Sequence, residues 1–98
     1  MPDAGPAEVA RVFREEHGRA VASLVRVFGD IDIAEEAVQD AFAAAVLRWP
    51  EDGLPPSPAG WIITTARNRA IDRLRRESAR ADKHAQAALL YIEDEPQT

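Results

Sequence analysis

Four of the chain's seven prolines fall within nine residues, Pro50-Glu-Asp-Gly-Leu-Pro-Pro-Ser-Pro58. Each proline fixes its own φ, removes a backbone donor and restricts the residue before it. Such a stretch is incompatible with a helix interior or a central strand, and it predicts a stiff loop. The remaining glycines and prolines lie at residues 2–6, Gly18, Gly29, Gly60 and Pro96. Between these marks the chain is rich in Ala, Arg, Glu, Leu and Val, with no sustained alternation of period two and no internal repeat. In 98 residues this predicts one all-α domain. The expected architecture is a compact bundle of three to four helices, with the Pro-rich loop preceding a long basic helix.

Apolar spacing places the helices. Val9, Val12, Phe13, Ala20, Val21, Leu24, Val25 and Phe28 draw one stripe on a helix over 7–28. Pro6 suits its first turn and Gly29 its left-handed stop. A second helix over about 33–48 buries Ala34, Val38, Ala41, Phe42, Ala45, Val46 and Trp49. Asp32 followed by Glu35 resembles a capping box at its start. Glu35, Glu36, Gln39 and Asp40 turn to the other side. Ser57 and Pro58 supply the cap and first position of a third helix. Its buried arc is Ile62, Ile63, Ala66, Ala70 and Leu74. Thr65, Asn68, Arg69, Asp72, Arg75 and Arg76 face away, with Asp72 expected to pair along the helix with a neighbouring arginine. Ala85, Ala88, Leu89 and Ile92 continue at helical spacing, as a short fourth helix or an extension. Residues 1–83 are therefore read as the domain, and 84–98 as a helical extension with an acidic tail.

The net charge of −5 argues at first against a phosphate-binding chain. Its distribution reverses the argument. Residues 1–58 carry five basic and eleven acidic side chains, a net of −6. Residues 59–92 carry Arg67, Arg69, Arg73, Arg75, Arg76, Arg80 and Lys83 against three acids, a net of +4. The last six residues add −3. One acidic half and one basic helix anticipate two different partners. The absence of cysteine excludes disulfide scaffolds, thiol catalysis and cysteine-ligated metals, and suits a reducing cytoplasm. His17 and His84 are far apart, and neither a Gly-rich phosphate loop nor a metal-ligand cluster occurs. No enzymatic activity, cofactor or metal is expected, and no apolar run is long enough for a membrane span.

Two blocks carry more than the statistics do. Asp32-Ile-Ala-Glu-Glu-Ala-Val-Gln-Asp-Ala-Phe42 is followed, after the loop, by Gly60-Trp-Ile-Ile-Thr-Thr-Ala-Arg-Asn-Arg-Ala-Ile-Asp-Arg-Leu-Arg-Arg76. In this order they resemble region 2 of bacterial extracytoplasmic-function sigma factors, over residues 7–82. The resemblance implies a domain that binds the clamp helices of the RNA polymerase largest subunit and recognises and melts the promoter −10 element on the non-template strand. It places polymerase contacts at Glu35, Glu36, Gln39 and Asp40. It places DNA contacts at Leu54, Ser57, Trp61, Thr65, Asn68, Arg69, Arg75 and Arg76. It also leaves room for an anti-sigma factor or a C-terminal regulatory domain as a further partner. The competing expectation is a small helical protein–protein adaptor that uses only the acidic face.

Overall fold

The computed structural model describes residues 5–94. They form three helices: α1 (Pro6–Phe28), α2 (Ile31–Asp52) and α3 (Pro58–Asp94). Each helix packs against the other two. The segment that could have been a fourth helix continues α3 without a break. The acidic tail beyond Asp94 and residues 1–4 lie outside the described residues.

The turn between α1 and α2 is two residues long. Gly29 sits at φ +69° and its N–H donates to the Val25 carbonyl at 2.7 Å, closing α1. This is the left-handed stop that glycine takes without a Cβ penalty. Asp30 follows in an extended conformation, and its Oδ1 accepts from the N–H groups of Asp32 (2.8 Å) and Ile33 (3.2 Å). The cap of α2 is therefore Asp30, not Asp32. The reason is local: once Gly29 has turned the chain, Asp30 is the first side chain able to reach back over the free N–H groups.

The other end of α2 also corrects the sequence expectation. Pro50 belongs to the last turn of α2 instead of opening the loop. A proline there removes the donor that the Val46 carbonyl would otherwise receive, but Val46 lies on a half-exposed face where solvent can compensate. Gly53, at φ +86°, then closes the helix with its N–H on the Trp49 carbonyl at 2.8 Å. The loop proper is short, and Ser57 ends it. Its Oγ accepts from the Gly60 N–H at 3.2 Å and its carbonyl from the Trp61 N–H at 2.9 Å, as expected of the α3 cap. A Cβ at Gly60 would lie 2.9 Å from Ser57 Oγ, so a larger residue there would push on the capping hydroxyl.

The core is lined largely by alanine. Ala20, Ala34, Ala37, Ala41, Ala45, Ala66 and Ala70 are buried with Val9, Val12, Leu24, Val38, Phe42 and Ile62. Trp49, 1% exposed, is the largest fully buried side chain and meets Trp61 edge to face, ring centroids 5.3 Å apart. Two residues expected in the core are not: Phe13 is 41% and Val46 49% exposed. Both lie at the margin of their stripes and line an apolar groove between α1 and α2, where Phe13 packs on Phe42 at 4.9 Å. On α1, Arg11 bonds Glu8 at 2.8 Å and Glu15 at 3.0 Å. The hydrogen bond from Arg11 holds the Glu8 carboxyl below its usual range. That contribution to stability is present above the ordinary glutamate pKa and is lost as pH falls through the lowered value.

From Arg75 to Leu89 every residue of α3 is exposed, so the helix projects beyond the bundle. The molecule measures 76 × 28 × 17 Å.

The cap assignment has a direct test. Asp30→Ala is expected to lower unfolding stability by about 0.5–2 kcal/mol, and Asp32→Ala by clearly less, in urea denaturation of the two variants.

Candidate polymerase and nucleic-acid faces

The four acidic and amide residues singled out on α2 share its outer face. Glu35, Glu36 and Gln39 are exposed and Asp40 is half-buried. The structure adds what the sequence reading missed: Arg73 of α3 reaches across to this face. One of its guanidinium nitrogens bonds Glu36 and the other bonds Asp40, the latter at 2.8 Å. A planar guanidinium can serve two carboxylates at once, which a lysine could not do with the same geometry. A signal was present. Glu36 and Asp40 are spaced i,i+4 beside the buried Ala37 and Ala41, and Arg73 follows the buried Ala70 by three residues. All three stand at the seam where α2 meets α3. Glu35 and Gln39 form no hydrogen bond or ion pair among the described residues.

The residues singled out around the loop and α3 fall into two hollows, not one. Trp61, Thr65, Asn68 and Arg69 line a hollow of about 240 Å³ between α2 and α3. Arg48 and Asp72 complete its polar wall. Arg48 comes from the last turns of α2 and was not anticipated, because nothing in the local pattern near Trp49 shows which way α3 will lie. Asp72 forms no ion pair among the described residues, so the expected pairing with Arg69, Arg75 or Arg76 does not occur. Its carboxylate stays available at the hollow's edge.

Leu54 and Ser57 line a second hollow, of about 440 Å³, closed on its other side by Arg11, Glu15 and Glu16 of α1. Leu54 is half-buried and packs against the core, which fixes the loop to the bundle. The prolines around it limit the loop's freedom, so little ordering entropy is left to lose on binding. Arg75 and Arg76 are exposed further along α3. Among the described residues no group of acidic or histidine side chains could hold a metal ion, and no helix is long and apolar enough to cross a membrane.

A carboxylate face on one helix beside a cationic face on the next defines a helical docking module with two chemically opposite surfaces. Comparison with known proteins makes the class specific. The Sigma-70 region 2 family matches residues 12–80, and the chain belongs to that family of sigma-factor domains. A curated relative, "Uncharacterized protein R00370" of Rhizobium meliloti (strain 1021), is 41% identical over 78 residues. Those residues are 80% of this chain and 18% of the relative, so the chain spans less than a fifth of that protein's length. No solved structure matches the chain.

The Arg73 bridge sets a bounded expectation. Its partners are between about one-third and two-thirds exposed, so each pair should be worth no more than about 1 kcal/mol. Double-mutant cycles of Arg73→Gln with Glu36→Gln and with Asp40→Asn, read by urea denaturation, should return coupling energies within that bound.

Proposed function

We propose that the chain is the region 2 domain of an extracytoplasmic-function sigma factor, with residues 1–83 forming the domain and 84–98 leading out of it. It docks on the clamp helices of the polymerase largest subunit through Glu35, Glu36, Gln39 and Asp40. It receives the non-template strand of the −10 element along α3 and the loop. The observation that carries the reading is the family match together with the hollow in which Trp61, Thr65, Asn68 and Arg69 meet Arg48.

The chemistry of each face supports its assignment. Clamp-helix arginines can take carboxylates by charge-assisted, bidentate bonds, and Gln39 can both donate and accept. Arg73 holds Glu36 and Asp40 in a defined outward arrangement before docking, so polymerase arginines join or replace an existing bridge. On α3, an amide suits a base edge, and Asn68 lines the hollow together with Arg69 and Thr65. Trp61 is half-buried against Trp49, so only part of its ring is free to stack on a base. Arg75 and Arg76 serve phosphates. The loop hollow at Leu54 and Ser57 is of a size to receive one extruded base. An anti-sigma factor or a further domain of a longer protein is a third partner on this reading.

The test is binding of the chain to single-stranded −10 DNA and to isolated clamp helices. Salt-dependent DNA binding is expected. A protein–protein adaptor would bind the helices alone, and loss of both interactions would refute the sigma-factor mechanism. Asn68→Ala should relax sequence discrimination by about 1–3 kcal/mol, while Arg76→Ala should weaken all sequences alike and reduce the salt slope by about one. Gln39→Ala should reduce polymerase binding and leave DNA binding by the free domain unchanged.

A further inference from the structure

The acidic face of α2 is occupied before any partner arrives. Arg73 puts one guanidinium nitrogen on Oε2 of Glu36 and the other on Oδ2 of Asp40, the latter at 2.8 Å. Among the described residues this is the one ion-paired link between helices, since Arg11 and Arg19 pair within α1. The other cations of α3 form no ion pair among the described residues. The fold does not account for the link. α2 and α3 already share a buried cluster that includes Ala41, Ala45, Ile62, Ala66 and Ala70. All three charged side chains reach solvent, so the bridge adds little to that contact.

Its consequence falls on docking. A carboxylate takes a partner's guanidinium best through both oxygens. Glu36 and Asp40 each have one oxygen committed to Arg73. An incoming arginine can bond either of them bidentately only by displacing Arg73. If it joins instead, two guanidiniums crowd the same pair of carboxylates and repel each other. Either way Arg73 opposes the partner. It also cancels one of the three negative charges that Glu35, Glu36 and Asp40 bring to the face. Preorganisation by the bridge is the weaker effect. Asp40 is short, half-buried and one turn from Glu36 on the same helix, which leaves it few directions to take once the bridge opens.

We propose that Arg73 is an autoinhibitory contact: in the free chain it occupies the carboxylates of the polymerase face, and it weakens docking until a bidentate partner displaces it. The inference rests on the reading of that face as the clamp-helix surface. It adds a residue of α3 that acts against docking, where the residues already assigned to the face act for it.

The test is the affinity of isolated clamp helices for the wild-type chain and for Arg73→Gln, measured by titration calorimetry at low salt. Arg73→Gln should bind about fivefold tighter, the upper worth of a half-exposed ion pair. Arg67→Gln removes an unpaired cation from the same helix and separates displacement from net charge. It should stay within about twofold of wild type. Arg73→Lys keeps the charge but cannot span both carboxylates, and should gain about twofold. Should Arg73→Gln not fold, as read by circular dichroism, Arg73→Lys carries the test. Unchanged or weaker binding by the Arg73 variants overturns the proposal and leaves the clamp-helix reading standing. An equal gain in Arg67→Gln and Arg73→Gln overturns it as well, by assigning the effect to net charge. If wild type and variants all fail to bind the clamp helices, both readings fall.

Discussion

The alanine-lined contact of α2 with its two neighbours is the constraint on which the molecule depends. Ala34, Ala37, Ala41 and Ala45 are all at most 2% exposed, and they share one buried cluster with Ala20 of α1 and with Ala66 and Ala70 of α3. Small side chains permit close approach of the helix axes, and they leave the few large ones little freedom to repack. Trp49 locks the end of this contact, where a void left by its removal would cost several kcal/mol, about 3–5 for a tryptophan truncated to alanine. Close approach has a second consequence. It brings the polar margins of α2 and α3 within side-chain reach, so Arg73 can span to Glu36 and Asp40, and Arg48 can join Arg69 at the same hollow. Both proposed faces are therefore products of the same packing.

Much of this was legible in the chain itself. Gly29 and Pro6, the α3 cap at Ser57 and the buried arcs Ala34–Val38–Ala41–Phe42–Ala45 and Ile62–Ala66–Ala70 follow from local rules, and the structure places them as those rules require. The misses share one cause. Asp32 against Asp30 turned on where the preceding glycine stops the chain. Pro50 turned on whether the carbonyl it deprives is exposed. Phe13 and Val46 sit at stripe edges, where exposure is decided by the neighbouring helix and not by spacing. Arg73 and Arg48 acquire meaning only from residues more than thirty positions away or from a cavity between elements. Periodicity assigns a residue to a face of its own helix, but not to what that face will meet.

The charge asymmetry becomes a question of distance once the fold is known. The bundle is acidic, and a phosphate strand laid directly on it would be repelled. At 1.5 Å per residue, Arg80 and Lys83 stand roughly 10 and 15 Å further along α3 than Arg73, the last cation tied to the acidic face. Screening at physiological ionic strength acts over about 8 Å. The outer cations of the projecting helix therefore present their charge largely free of the bundle's acids. An isolated helix of that length would be marginal in water. Here it costs no nucleation, because it grows from a segment already packed against α1 and α2. On the proposed reading, this is why one short chain can serve an acidic and a basic surface at once: the packed half of α3 fixes the recognition hollow, and the exposed half carries the positive field away from the carboxylates that would cancel it.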